Sequence, residues 1–307
     1  MAGQRQAVLT ITREARGRVP GDGIALAFGY WPGRGAPVVA LHGLTSTYVS
    51  FMGVAERLGG RRPLFALDLR GRGDSDKPSG PYGMAQHARD VARAMRAFAL
   101  GPSVIVGHSM GAFIAAALAA SEPELVAGLI LVDGGFAFPM NEAARKSFDS
   151  GLANRIAQLQ QTYPSRQAYR DFWRSQPQFP PEDWSPWTEA FLDYELGGEP
   201  PRLQPKASPD GVSVDLAEGM KTREINERLE AIRAPVIMLR AEAGFIPSQP
   251  PLYPEPVIAE MRSHFPALEV HTMQGTTHYN IVIGNRGATA LADLIVDFSK
   301  RCLSASS

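Results

Sequence analysis

Cysteine is nearly absent: one residue, Cys302, in 307, so the chain can form neither an intramolecular disulfide nor a cysteine-based metal site. A reducing compartment is compatible with that. Net charge is absent too, with 31 Lys+Arg against 31 Asp+Glu. Nothing in the overall field favours nucleic acid, an anionic membrane surface or a polyanionic substrate. No run approaches the roughly 18 apolar residues of a membrane span. The opening stretch "MAGQRQAVLTITREARGRVPG" carries charges at Arg5, Arg13, Glu14, Arg16 and Arg18 and no long apolar core, unlike a secretory signal. The expectation is a soluble, cytoplasmic protein, monomeric or homodimeric, with no nucleic-acid partner. P-loop, metal-cluster and dinucleotide signatures are also missing, and "GYWPGRG" lacks the helix a dinucleotide site requires. No cofactor and no metal are expected.

Short apolar runs ending in small residues are what the chain does have: "APVVALHG" (36–43), "PLFALDLRG" (63–71), "SVIVGHS" (103–109), "GLILVDGG" (128–135) and "APVIMLRA" (234–241). Each reads as a buried strand ending in a turn. Helical stretches lie between them, notably "MAQHARDVARAMRAFA" (84–99) and "GAFIAAALAASEP" (111–123). Strands alternating with helices imply an α/β fold, a mostly parallel sheet flanked by helices. "IALAFGYWP" (24–32) suits an earlier strand at an antiparallel edge.

The alternation stops between about Phe136 and Arg233. Tyr163, Tyr169, Phe172, Trp173, Phe179, Trp184, Trp187, Phe191 and Tyr194 crowd this stretch, followed by the Pro/Gly-rich "GGEPPRLQPKASPDG" (197–211). It reads as a helical cap followed by a loop, inserted between two late strands. The expected division is residues 1–136 as the first part of the core, 137–232 as cap and 233–307 as the rest of the core. Most of these aromatics belong in the cap's own interior; Trp173, Trp184 and Trp187 are candidates for lining a covered substrate pocket.

Gly107-His108-Ser109-Met110-Gly111 is G-x-S-x-G at a predicted strand-to-helix junction. So sharp a turn strains the backbone at the serine, and the glycines let strand and helix approach; the hydroxyl then projects over the end of the sheet. The Met110 N–H, at the helix start, points where negative charge develops on an attacked carbonyl.

With these motifs in order, the chain resembles the α/β-hydrolase superfamily over nearly its whole length. The matching pieces are "LHGLTST" (41–47), "DLRGRGDSDKP" (68–78), "GHSMG" (107–111), "LVDGG" (131–135) and "GTTHYNIV" (275–282). The resemblance implies Ser109 as nucleophile, with the N–H groups of Leu44 and Met110 as oxyanion hole. It implies His278 as base, being the one histidine after the serine on a loop past the last strand; His42 is expected to order its loop. Asp68 and Asp74 are expected to bind backbone. The usual acid follows "VIMLRA", yet this chain has Gly244 where aspartate would stand. Two main acids remain open: Asp133, at the position a subset of the superfamily uses, and Glu242; Glu255 is a more distant candidate.

Serine at the elbow excludes the aspartate-dependent dehalogenase and epoxide-hydrolase chemistries that the resemblance also covers. The expected function is a cofactor-independent, carboxylesterase-like hydrolase of a small-molecule ester or lactone, working through an acyl-enzyme on Ser109. The alternatives are a carbon–carbon bond hydrolase on the same triad and a slow-turnover receptor on the same fold.

Overall fold

A computed structural model describes residues 14–137, 154–219 and 221–303. Eight strands form the central sheet: β1 (Ala15–Pro20), β2 (Ala25–Trp31), β3 (Val38–Leu41), β4 (Leu64–Leu67), β5 (Ser103–His108), β6 (Val126–Val132), β9 (Val236–Ala241) and β10 (Glu269–Met273). Their order is β1-β2-β4-β3-β5-β6-β9-β10. β1 and β2 pair antiparallel, as do β2 and β4; every other neighbouring pair is parallel. The α/β expectation from the alternating runs is met, with "IALAFGYWP" supplying β2.

β3, β4 and β5 are buried at every position because helices cover both faces, so their sequences read as unbroken apolar runs rather than alternating ones. The edge strand β1, "ARGRVP", is mostly exposed and Arg-rich. Charge of this kind hides a strand from a hydrophobicity reading while protecting an edge from pairing with other chains.

The helix Met110–Ser121 is buried from Met110 to Ala119 and packs against the helix Met84–Ala97 and against β5. Its Ala/Gly composition lets those neighbours approach closely. The terminal helix Asn285–Leu303 covers the other face, packing on the helix Met52–Leu58 and on β6.

Between β6 and β9 the described chain contains the helices Arg166–Arg174, Pro186–Glu195, Pro209–Gly219 and Thr222–Ala231. Residues 138–153, part of the expected cap, lie outside the described residues. Ser165 and Ser185 cap the first two helices, their hydroxyls accepting from the N–H groups of Ala168 and Thr188. Tyr163, Tyr169, Trp173 and Phe179 stack edge to face inside this segment, with successive ring centroids 4.7, 6.1 and 5.4 Å apart. The Pro/Gly-rich stretch read as a loop contains a two-stranded ribbon, β7 (Leu196–Gly197) with β8 (Gln204–Pro205), and from Pro209 it is helical. Two-residue strands are too short to leave a periodic signal.

Polar contacts seat this segment on the sheet domain. Tyr194 donates to Asp68 at 2.7 Å, Lys206 reaches Asp74 at 2.6 Å, and Asn280 donates to Asp183 at 2.5 Å. Asp68 also accepts from the N–H groups of Tyr48 and Asp74, the backbone-binding role expected of it. Burial pushes its carboxyl up to about 6.

Candidate active site

β5 ends at His108, and the next residue, Ser109, takes φ 53° and ψ −117° before the helix begins at Met110. A non-glycine residue in that region costs about 1–3 kcal/mol and persists only where its surroundings enforce it. Here the Ser109 N–H is held by the Val132 carbonyl at 2.9 Å and its own carbonyl accepts from Ala112 at 3.0 Å. The flanking glycines are needed for space. A Cβ on Gly107 would sit 2.3 Å from the Gly111 oxygen, and one on Gly111 would sit 2.1 Å from the Leu41 oxygen. Gly134 is pressed as tightly, 2.4 Å from the Ser109 oxygen by the same measure.

Asp133 follows the last residue of β6 and adopts φ 46°. Its N–H donates to the Leu239 carbonyl at 2.8 Å, and its Oδ1 accepts the Ala241 N–H at 3.2 Å, so the neighbouring strand β9 fixes both backbone and side chain. The other oxygen, Oδ2, lies 2.7 Å from His278 Nδ1, and both residues are buried. That contact leaves Nε2 of His278 as the nitrogen available to a nucleophile. Among the described residues no hydrogen bond links Ser109 to His278; contacts of this kind tighten when substrate is bound.

Glu242 is exposed and accepts the Gly275 N–H at 2.7 Å, while Glu255 pairs with Arg240. Of the carboxylates weighed from sequence, the one that touches His278 is Asp133.

His278 is held through its main chain as well. Its N–H donates to the Gly244 carbonyl at 2.9 Å, and its carbonyl lies 2.8 Å from His108 Nε2. Burial drives the His108 imidazole down to about 3, so it is neutral and donates this bond from Nε2–H. Sequence reasoning passed over His108 as the variable residue of the elbow; nothing local marks its bond to a loop 170 residues away. The ring of Phe245 meets His278 edge to face at 4.8 Å.

The loop after β3 is pinned from below. His42 Nδ1 lies 2.7 Å from the Gly43 carbonyl, which also accepts the Ser46 N–H at 3.2 Å. The far nitrogen, Nε2, accepts from the Leu69 N–H at 3.0 Å, and burial holds the ring neutral, with a pKa down to about 3. His42 therefore orders its loop, as expected. A trans peptide carries its N–H opposite its C=O. Anchoring the Gly43 carbonyl accordingly fixes the direction of the Leu44 N–H. Gly43 itself lies against Ser109, where an added Cβ would be 3.3 Å from the serine Cβ.

The three tryptophans occupy different settings. Trp173 is buried in the aromatic cluster of the inserted segment, with the Arg155 guanidinium 5.1 Å from its ring. Trp184 donates to Glu189 at 2.9 Å and carries the Arg174 guanidinium at 4.6 Å. Trp187 faces Arg57 of the sheet domain at 4.3 Å. Phe179 bridges Trp173 and Trp184 to Tyr279, the neighbour of His278, with its ring 6.1 Å from that of Tyr279.

One cation of the inserted segment reaches this site. Arg155 Nε donates to Thr45 Oγ1 at 3.0 Å, beside Leu44, and Nη2 lies 3.9 Å from the buried Glu195 carboxylate. Glu195 also accepts the Tyr169 hydroxyl at 2.8 Å, and burial raises its carboxyl to about 7. Neither residue stood out in sequence, since one arginine among 31 basic residues carries no mark of its destination.

Among the described residues, no group of three or more His, Cys, Asp or Glu side chains could hold a metal ion, and no helix is long and apolar enough to cross a membrane.

Comparison with known proteins places this geometry. The chain is 28% identical over 247 residues to 2-(acetamidomethylene)succinate hydrolase of Mesorhizobium japonicum, covering 80% of this chain and 83% of that protein. It is 26% identical over 265 residues to N-formylmaleamate deformylase of Pseudomonas putida, covering 86% and 90%. The crystal structure of E-2-(acetamidomethylene)succinate hydrolase superposes with a TM-score of 0.76 at 22% identity, covering 95% of this chain and all of that one, and so shares the fold. Residues 36–193, more than half of the chain, match the family model for the alpha/beta hydrolase fold. A mostly parallel sheet with a strained serine at its central strand-to-helix turn, together with that match, makes this chain a member of the alpha/beta hydrolase family.

Proposed function

We propose that the protein is a cofactor-independent serine hydrolase of a small carboxylate-bearing substrate, cleaving a non-ester bond: an acyl–nitrogen bond or the adjacent carbon–carbon bond. The observation that carries the reading is Arg155, a largely buried guanidinium on Thr45, one residue from Leu44, whose charge is also felt at Tyr279 beside His278. A cation held in low dielectric between the oxyanion loop and the base favours an anionic group on the substrate. The two relatives named above support this, since each name describes a carboxylate carrying an acylated nitrogen. They support the carbon–carbon alternative, here widened to include the acyl–nitrogen bond, over the carboxylesterase or lactonase reading.

In the proposed reaction Ser109 Oγ attacks the substrate carbonyl carbon while His278 Nε2 takes its proton. The Leu44 and Met110 N–H groups hold the resulting oxyanion. Asp133 keeps the proton on Nδ1 of His278 and stabilises the imidazolium. The bond to nitrogen or carbon then breaks as His278 returns its proton to the leaving group, and water activated by the same histidine releases the acyl group from Ser109. Arg155 positions the carboxylate. Phe179, backed by Trp173 and Trp184 and stacked towards Tyr279, shields the His278 side of the site from water, whereas Trp187 packs on Arg57 instead.

The test compares hydrolysis of N-formylmaleamate and 2-(acetamidomethylene)succinate with that of p-nitrophenyl esters from acetate to decanoate, in wild type and in Ser109→Ala and Arg155→Met. Serine-dependent turnover of a carboxylate substrate that Arg155→Met weakens, with turnover of the neutral esters unaffected, is the expected result. Efficient ester hydrolysis with no Ser109-dependent turnover of either carboxylate substrate, or carboxylate turnover that Arg155→Met leaves unchanged, would return the assignment to a carboxylesterase.

A further inference from the structure

The second arginine of "DLRGRGDS" has a destination that the turn does not require. Arg72 is fully buried, and its guanidinium divides among four neighbours. Nε donates to the Leu44 carbonyl at 2.9 Å, Nη2 lies 3.9 Å from the Met110 sulfur, and Nη1 meets the Asp215 carboxylate at 2.6 Å while also donating to the Arg70 carbonyl within the turn at 2.8 Å. Leu44 and Met110 are the two residues whose N–H groups form the proposed oxyanion hole. Asp215 belongs to the helix Pro209–Gly219 of the inserted segment, and its remaining acceptor capacity is used by the Gly83 N–H at 2.7 Å and by His87 Nε2 at 2.9 Å.

We infer that Arg72 is a positioning residue that couples the seating of the cap to the oxyanion hole. The inference rests on the serine-hydrolase reading. A buried guanidinium stays in place only while its charge is paired and its donors are used. Asp215 supplies the charge from the cap side. The planar fork then carries that constraint to the Leu44 carbonyl and to Met110. With the Gly43 carbonyl fixed by His42 and the Leu44 carbonyl by Arg72, both peptide planes flanking Leu44 are held, and its N–H cannot swing away from the oxyanion. Without Asp215 the arginine loses its counter-charge and the Leu44–Thr45 peptide loses its anchor.

The test uses a fluorophosphonate probe, whose phosphonyl oxygen occupies the oxyanion hole once it reacts with serine, so no natural substrate is needed. The rate constant kinact and the binding constant KI are measured for wild type, Ser109→Ala, Arg72→Lys, Arg72→Met and Asp215→Asn, with the folded fraction of each read by circular dichroism. Lysine keeps the positive charge beside Asp215 but lacks the fork that reaches Leu44 at the same time. The expected result is a fall in kinact of about 10- to 100-fold per folded molecule in Arg72→Lys and in Asp215→Asn, with KI within about twofold of wild type, because only the transition-state donors are disturbed. Full rescue by Arg72→Lys, or labelling lost only in proportion to folded protein, would overturn it. The serine-hydrolase reading is judged separately: it fails, and this inference with it, if wild type is not labelled or if Ser109→Ala labels equally well. Labelling that needs Ser109 but ignores Arg72 and Asp215 sinks the coupling alone.

Discussion

Asp133 Oδ2 and His278 Nδ1 lie 2.7 Å apart although 145 residues separate them in the chain. The contact exists because β6 and β9 are neighbours in the sheet, so the turn after Val132 opens beside Leu239 and Ala241, which hold the Asp133 backbone and side chain. It sets the tautomer of the histidine and leaves Nε2 as the nitrogen for the proposed proton transfer from Ser109.

Replacing Asp133 with asparagine is therefore expected to reduce the rate of serine modification by about 10⁴-fold, the scale seen when a triad acid is lost with its geometry kept. Glu242→Gln, at an exposed side chain bonded to Gly275, should stay near wild type. Parallel labelling of the two variants checks this; comparable losses in both would remove Asp133 from the role.

His108 bears on the proposed base, His278, from its backbone side. His108→Phe keeps a ring of similar shape and removes the bond to the His278 carbonyl. A rate loss of about tenfold is expected, equivalent to about 1.4 kcal/mol of misplaced base. An unchanged rate in a folded variant would show that the loop holds His278 without it.

Ser109 carries the strain of its positive φ whether or not it reacts. Ser109→Gly should consequently melt higher than Ser109→Ala, since glycine relieves a cost of about 1–3 kcal/mol and returns part of it as unfolded-chain entropy. Both variants should be inert. Equal melting temperatures would mean that the strain relieved is no larger than the unfolded-chain entropy that glycine adds.

Glu195 makes a prediction about pH. Burial raises its folded-state pKa from 4.5 to about 7, so between those values the folded chain keeps a proton that the unfolded chain has lost. Its contribution to stability is full below 4.5 and is lost as pH rises to about 7. Glu195→Gln should thus gain in melting temperature relative to wild type as pH rises through that window, and the difference should level off above it. A difference that does not change with pH would contradict a buried, proton-holding Glu195.

His42 and His108 act in the opposite direction. Both are held neutral in the folded chain, with pKa values of about 3 against 6.5 for a free histidine. The stability they confer is present above pH 6.5 and drains away as pH falls toward 3, because the unfolded chain takes up protons first. Acid titration of the double variant His42→Asn/His108→Phe should show a shallower loss of stability over that range than wild type, and an identical slope would refute the assignment.

What the sequence determined by itself is what depends on neighbours along the chain. The elbow at Ser109 is legible locally as a strand running through a sharp turn into a helix, although of its glycines Gly107 is demanded by nearby Gly111 and Gly111 by Leu41 on the neighbouring strand. The buried strands are legible because a parallel sheet covered on both faces leaves unbroken apolar runs, whereas β1 escaped notice because an edge strand is dressed in arginines. Tertiary structure alone decided the partners. Asp133 and Glu242 each follow a core strand, and strand context and spacing favoured Asp133 without removing Glu242; the order of the sheet put the first against His278 and the second against Gly275. Arg155, Glu195 and the link from Asp215 through Arg72 to Leu44 depend on how the inserted helices seat on the sheet, and burial then gives those few charges their strength by taking water away from them.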